Sequence, residues 1–210
     1  MSPSKSRRRR RPRKKNNNNK IIGIVAVLAV VVAIIVGYVM LSDNGSSEEL
    51  PSSNKVVLVT TMGNIVIELR DDMPITTSNF KNLVEQGVYE DTTFHRVVNL
   101  PQNLVMIQGG NPSTGSWSGG TIPSISDEFS DNPENNKNER ATIAMANYGP
   151  NTGSSQFFIN GAYNSHLDNV HPVFGDVIEG MDVVDAILNV ETDGNNAPIT
   201  SVVLTTAVFD

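Results

Sequence analysis

The sequence predicts a mainly β domain, a closed antiparallel barrel whose ends are plugged by two helices, preceded by one membrane-spanning helix. Three observations predict it. Short β-rich runs separated by Gly- and Asn-rich loops fill the chain from Lys55 onward. Only two stretches there show helical spacing of apolar residues. Ahead of them lies Ile21 to Leu41, an apolar stretch of 21 residues without a charge.

The chain of 210 residues has room for one ordinary domain and some additions. Its charge is divided unevenly. Residues 1–20 hold 10 of the 16 basic residues (Lys5, Arg7 to Arg11, Arg13, Lys14, Lys15 and Lys20) and no acid. The remainder has 6 basic against 22 acidic residues, a net of −16. An acidic body argues against nucleic acid as the partner of the folded domain. There is no cysteine, which excludes disulfides, thiolate catalysis and cysteine-based metal sites.

Residues 21–41 as a helix would span ~31 Å, matching a hydrocarbon core of ~30 Å. The stretch is long for a signal-peptide core, and no small-x-small cleavage site follows it. The adjacent basic run, residues 1–20, then reads as a topogenic signal that keeps the N-terminus cytoplasmic. Everything after Leu41 is expected outside the cytoplasm. Residues 42–54 (SDNGSSEELPSSN) are polar, with no apolar period, and read as a flexible linker. Residues 55–210 form the globular domain.

Within that domain, Lys55 to Thr61 and Ile65 to Leu69 flank Met62-Gly63-Asn64 and make a hairpin. Pro74 to Val88 carries Phe80, Leu83, Val84 and Val88 at helical spacing, with Pro74 near its start and Gly87 near its end. Strands are expected over Thr93–Val98, Val105–Gln108, Ala141–Ala146, Gln156–Asn160, Val173–Ile178 and Ser201–Val208. Met181 to Leu188 is the second short helix.

Several polar residues stand on or beside these strands. Strand alternation puts Phe94 and Arg96 on one face, and Gln156 and Phe158 on one face. Gln108 precedes Gly109-Gly110, where backbone can approach a ligand closely. Asn147 ends the run ATIAMAN, and His171 precedes Pro172 in a loop. Taken singly, each has a plain structural reading as a surface, turn or core residue. No Ser-His-Asp order or metal-ligand cluster accompanies them, so the group can hold and polarise a peptide but is poorly equipped to attack one.

Together these residues form four blocks in one order: FHRV, MIQGGN, MANYGPNTGSSQFFIN and LDNVHPVFGDVIEGMDVVD. The chain from about Lys55 to Phe209 resembles the cyclophilin family of peptidyl-prolyl cis-trans isomerases. The resemblance implies an eight-stranded antiparallel barrel capped by two helices, with a proline-binding groove on its outside. It implies that Arg96 is the catalytic arginine, that Gln108 and Asn147 hold the substrate backbone, and that Gln156 lies beside them. Phe158, Met106 and Leu167 would wall the proline pocket, His171 would be its histidine, and Ala146 would line the neighbouring surface. Phe94, Val105 and His166 are further candidates for substrate contact. Val105 stands where the family usually has a phenylalanine, with Leu104 as a partial replacement. His166 stands where many members have a tryptophan that contacts cyclosporin, so weak or absent cyclosporin binding is expected. Val98 to Leu104 reads as a loop about four residues longer than is common in the family.

The partners implied are proline-containing segments of unfolded or folded proteins, and no cofactor or metal is required. Two functions follow from different classes: an isomerase that rotates X–Pro bonds in extracytoplasmic proteins and assists folding, or a catalytically weak proline-peptide-binding or holdase module tethered to the membrane.

Overall fold

The computed structural model describes residues 53–116 and 119–210. The expected basic tail, membrane helix and most of the linker lie outside the described residues. Among those described, no helix is long and apolar enough to cross a membrane. The linker's last residue, Asn54, already belongs to the fold, its carbonyl accepting from the Leu69 N–H at 2.7 Å.

The β-strands are β1 (Lys55–Thr60), β2 (Gly63–Leu69), β3 (Thr92–Thr93), β4 (Arg96–Leu100), β5 (Leu104–Gly109), β6 (Thr142–Met145), β7 (Phe157–Asn160), β8 (Val173–Glu179) and β9 (Val203–Phe209). The helices are α1 (Pro74–Glu85) and α2 (Met181–Leu188). The strands make one antiparallel sheet in the order β3-β9-β1-β2-β8-β6-β7-β5-β4.

The expected closed eight-stranded barrel is therefore corrected: the sheet has nine strands and curls without closing. Its two terminal strands, β3 and β4, do not pair with each other. They are nonetheless nearly continuous in sequence. The single strand expected over Thr93–Val98 breaks at Phe94-His95, and those two residues cross the seam. The Phe94 N–H bonds back to Val202 O at 3.0 Å, while Val97 N–H is taken by Asn196 O at 2.8 Å.

Strand alternation sorts the side chains into two layers. Val97, Val105, Ile107, Ile143, Met145, Phe157 and Ile159 point into the main core. Val98, Met106, Ala144, Phe158 and Val173 form a separate apolar cluster on the other face of the same strands. The main core centres on Phe80 of α1, whose ring lies 5.2 Å from Tyr89, 5.7 Å from Phe157 and 5.2 Å from Phe174. Aromatic contacts of this kind add roughly 0.5–1.5 kcal/mol per pair beyond area burial.

Helix α1 starts with Pro at its first turn but has no side-chain cap from Met73. A remote carboxylate does that work: Glu128 accepts from Ile75 N at 3.2 Å and from Thr76 N at 3.0 Å. An acid there satisfies orphan N–H groups and suits the positive end of the helix. Helix α2 begins after Gly180, whose φ is +87°. A Cβ at Gly180 would collide with the Asn64 carbonyl oxygen and lie 2.9 Å from Ile65 Cα, both backbone atoms.

The expected long loop at Val98–Leu104 is a second correction. Most of it is strand: Leu100 pairs with Leu104, and only Pro101 to Asn103 make the turn. Asn99 Nδ2 donates to Leu188 O at 3.1 Å, tying the hairpin to α2.

Two substitutions test this packing. Phe80→Ala removes the centre of the aromatic group and is expected to cost about 3–5 kcal/mol in urea unfolding. Gly180→Ala is expected to cost more than about 1 kcal/mol by the same measurement, since it combines a disfavoured φ with a backbone clash.

Candidate active site

Three consecutive strand pairings create the site. Arg96 of β4 faces Gln108 of β5, Gln108 faces Phe158 of β7, and Phe158 faces Ala144 of β6. With strands ~4.8 Å apart, this row runs across the outer face and turns a linear pattern into a contiguous surface. Above it is a groove of about 310 Å³.

The groove has an apolar half and a polar half. Met106 and Phe158, both nearly buried, form the floor of the first. Leu104, Leu167 and Ala146 pack against the same outer cluster. His171 sets its ring edge against Phe158, with centroids 5.3 Å apart and planes at 84°. Its Nδ1 lies 3.2 Å from Met145 O, which fixes the ring in the tautomer that donates from Nδ1. Burial holds the His171 pKa below its ordinary value, against the backbone bond and the Asp127 charge that raise it; nearby His166 also lowers it.

The polar half is a chain of amides ending in one cation. Gln108 Nε2 donates to Gln156 Oε1 at 3.0 Å, and Arg96 Nη1 donates to Gln108 Oε1 at 3.4 Å. Among the described residues Arg96 has no carboxylate partner. Its exposed guanidinium is thus aimed by an amide that cannot neutralise it, with most of its N–H donors open to a ligand.

Asn147 contributes differently from the sequence reading. Its side-chain amide is engaged within the domain, Nδ2 donating to Val170 O at 2.9 Å and Oδ1 accepting from Gly149 N at 3.3 Å. Its main-chain N–H and C=O have no hydrogen-bond partner among the described residues, and Asn147 lines the groove.

The segment between Asn147 and Gln156 is pinned on several sides. Tyr148 N donates to Thr152 Oγ1 at 2.8 Å. Asp127 and Asn151 exchange two bonds of 2.9 Å, each side chain accepting from the other's backbone N–H. Tyr89 donates its hydroxyl to Ser155 O at 3.1 Å from inside the core. The groove wall is therefore set before any ligand arrives.

Of the residues singled out in the sequence, Arg96, Met106, Gln108, Ala146, Asn147, Gln156, Phe158, Leu167 and His171 line this groove. Phe94, Val105 and His166 do not. Phe94 is buried in the main core against Phe157, 6.3 Å between centroids, because the break at the seam cancels its alternation with Arg96. Val105 is on the inner face of β5, where its Cγ1 would meet a Cβ on Gly161 at 2.8 Å; Leu104 supplies the groove wall instead. His166 is exposed on the 3-10 turn Ser165–Leu167, outside the groove lining. Tyr148, Thr152 and Ser154 line the groove without having been singled out. Their position between Ala146 and Gln156, both already candidates, was the available signal.

Among the described residues no group of three His, Asp or Glu is placed to hold a metal ion. The arrangement suits a neutral, apolar ring seated beside an amide, with one oriented cation at the amide's edge. A profile described as cyclophilin type peptidyl-prolyl cis-trans isomerase/CLD matches residues 55–208. The chain belongs to this family.

Peptidyl-prolyl cis-trans isomerase-like 1 of Rhizopus delemar is 43% identical over 145 residues, 68% of this chain and 84% of that protein. Peptidyl-prolyl cis-trans isomerase ppi1 of Schizosaccharomyces pombe is 40% identical over 147 residues, 69% of this chain and 91% of that one. By contrast, the chain spans only 25% of peptidyl-prolyl cis-trans isomerase-like 2 of Gibberella zeae, at 41% identity. The crystal structure of a Cryptosporidium parvum cyclophilin type isomerase aligns with a TM-score of 0.66 at 27% identity, covering 75% of this chain and 98% of that one. The same protein, crystallised in the presence of the dipeptide Ala-Pro, aligns at 0.65. The cyclophilin fold is thus carried by the described domain, and the relatives it matches are named peptidyl-prolyl cis-trans isomerases.

The half-buried His171 gives this cyclophilin domain a testable pH dependence. Below the ordinary histidine value near 6.5, the unfolded chain binds the His171 proton before the folded one does. Stability is therefore expected to be level above that pH and to fall as pH drops toward the lowered folded value. Urea unfolding between pH 8 and pH 5 reads this, and a His171→Gln variant should show a shallower fall.

Proposed function

We propose that the chain is a membrane-tethered isomerase that rotates X–Pro bonds in extracytoplasmic proteins, with Arg96 as the donor that stabilises the twisted amide. The observation that carries the mechanism is the unneutralised Arg96 guanidinium, aimed along the groove by Gln108 and Gln156.

An X–Pro bond resists rotation because amide resonance sets a barrier of ~18–20 kcal/mol. Its two isomers differ by only ~0.5–1 kcal/mol. No bond is made or broken, so the requirement is to stabilise the twisted state more than either planar one. At the twist, the proline nitrogen becomes pyramidal and gains a lone pair able to accept a hydrogen bond. An arginine is always charged and donates in a fixed plane. The proline ring sits against Phe158, Met106, Leu104 and Leu167, while the Asn147 backbone and the Gln108 side chain hold the flanking peptide.

The cellular setting rests on sequence. The charge-free stretch 21–41 beside the basic run 1–20 supports a single crossing with the N-terminus cytoplasmic. Weak cyclosporin binding belongs to this reading, with exposed His166 in place of an indole. A dissociation constant in the low nanomolar range would overturn that part.

Arg96→Ala is expected to lower kcat/KM for an X–Pro peptide at least about 100-fold, a loss of ~2.7 kcal/mol of transition-state stabilisation. Arg96→Lys is expected to recover only a minor part, because an ammonium lacks the planar fork. A rate unchanged in Arg96→Ala, with the fold intact by circular dichroism, sinks the mechanism. Peptide binding without turnover in the unaltered protein would instead select the holdase function. Protease protection in sealed vesicles tests the topology: residues 55–210 should be accessible only from the side opposite the N-terminus.

A further inference from the structure

The turn from Asn147 to Asn151 has a second side. There, with Phe129, Asn169 and Val170, it encloses another depression of about 350 Å³. Asn147 lines both this depression and the groove, so the two adjoin at one residue. Phe129 is 38% exposed and Val170 is 51% exposed, and neither joins either apolar cluster. Single exposed apolar residues are ordinary, but here two of them and Pro150 share one concave site.

One charge stands in that site. Asp127 uses Oδ2 to accept from Asn151 N, and its Oδ1 has no partner among the described residues. It forms no ion pair there, and no Lys or Arg lines the depression. Its neighbour Glu128 is turned away to cap α1. Apolar walls with one unpaired carboxylate complement a side chain that has a hydrocarbon stem and a cationic end. The Phe129 ring adds a face on which such a cation can rest. The acidic charge of the chain after residue 20 draws the same class of client.

We propose that this depression is a second subsite for the client polypeptide, taking the side chain of a lysine or arginine near the proline that occupies the groove. The assignment rests on the groove being where the proline sits, and it adds a residue preference to that reading.

The test uses the full-length chain in mild detergent and fluorescent peptides with one proline. Each position within three residues on either side is set in turn to Ala, Leu, Glu or Arg, and affinity is read by anisotropy. At one position Arg is expected to bind about fivefold tighter than Ala, with Glu weaker than Ala. That ratio should fall below about twofold in Asp127→Asn, whose amide oxygen can still accept from Asn151 N, and in about 1 M salt, where the screening length is ~3 Å. Phe129→Ala should reduce it as well. Leu binding as tightly as Arg, a ratio that survives in Asp127→Asn, or no preferred position at all would each overturn the proposal. The groove reading is judged separately: an all-Ala reference peptide that binds Phe158→Ala as tightly as the unaltered protein would refute it.

Discussion

The register of β4, β5, β7 and β6 is the constraint on which the site depends. It places Arg96, Gln108, Phe158 and Ala144 side by side in one row on the outer face. Their neighbours in sequence, Val97, Ile107, Phe157 and Ile143, fill the inner face. Because the side-chain period of a strand is two, a slip of one residue in any of these pairings would exchange the layers. It would bury a guanidinium among aromatic rings, a cost far above what any single hydrogen bond returns. The core and the site therefore specify each other: the packing around Phe80 holds the register, and the register assembles the groove.

The seam between β3 and β4 shows how the sheet accommodates that demand. Two residues carry the chain across, and they behave in opposite ways. Phe94 turns inward, where the wall of Phe157 receives it. His95 stays half-buried, and its Nδ1 is the one buried side-chain nitrogen or oxygen without a hydrogen-bond partner among the described residues. Desolvation holds its pKa below the ordinary value, which favours the uncharged ring at the seam. A neutral ring directly before Arg96 adds no second positive charge to the groove. The unclosed sheet also leaves β4 bonded to β5 on one side and to the Asn196 carbonyl at a single point on the other.

Where local pattern decides structure, the sequence was legible. The alternation in Val105–Gln108 and Gln156–Asn160 was visible in the residues, and Met181–Leu188 appears with the same bounds. Met106, Gln108, Gln156 and Phe158 on those runs fall in the groove for the same reason. What failed depended on partners distant in the chain. Whether a sheet closes is decided by pairing between its last strands, which no local window contains. Phe94 was assigned to the face of Arg96 by alternation, and a two-residue break at the seam undid that inference. Val105 was read by family position as a pocket residue, but its contacts are with Gly161 and the α2 end. Val98–Leu104 looked like a loop because Pro101-Gln102-Asn103 is a turn sequence, whereas Val98–Leu100 and Leu104 belong to the paired strands.

The scale of the catalytic task explains why the groove is built on rigid parts. An acceleration of 10⁵ requires about 7 kcal/mol. A hydrogen bond to a charged group contributes roughly 1.5–3 kcal/mol net, so Arg96 alone falls short. The remainder has to come from holding the proline ring and the flanking peptide in place while one bond turns, and only preorganised walls can do that. Phe158 is fixed by its two neighbouring strands, β5 and β6, and His171 by the Met145 carbonyl. The 147–156 segment is fixed by the Asp127–Asn151 exchange and by Tyr89. That exchange also shapes the depression beside Phe129. The rigidity that serves rotation in the groove thereby holds a second, differently charged surface at a fixed offset from the proline. The same turn therefore borders both the groove and this depression, with Asn147 lining each.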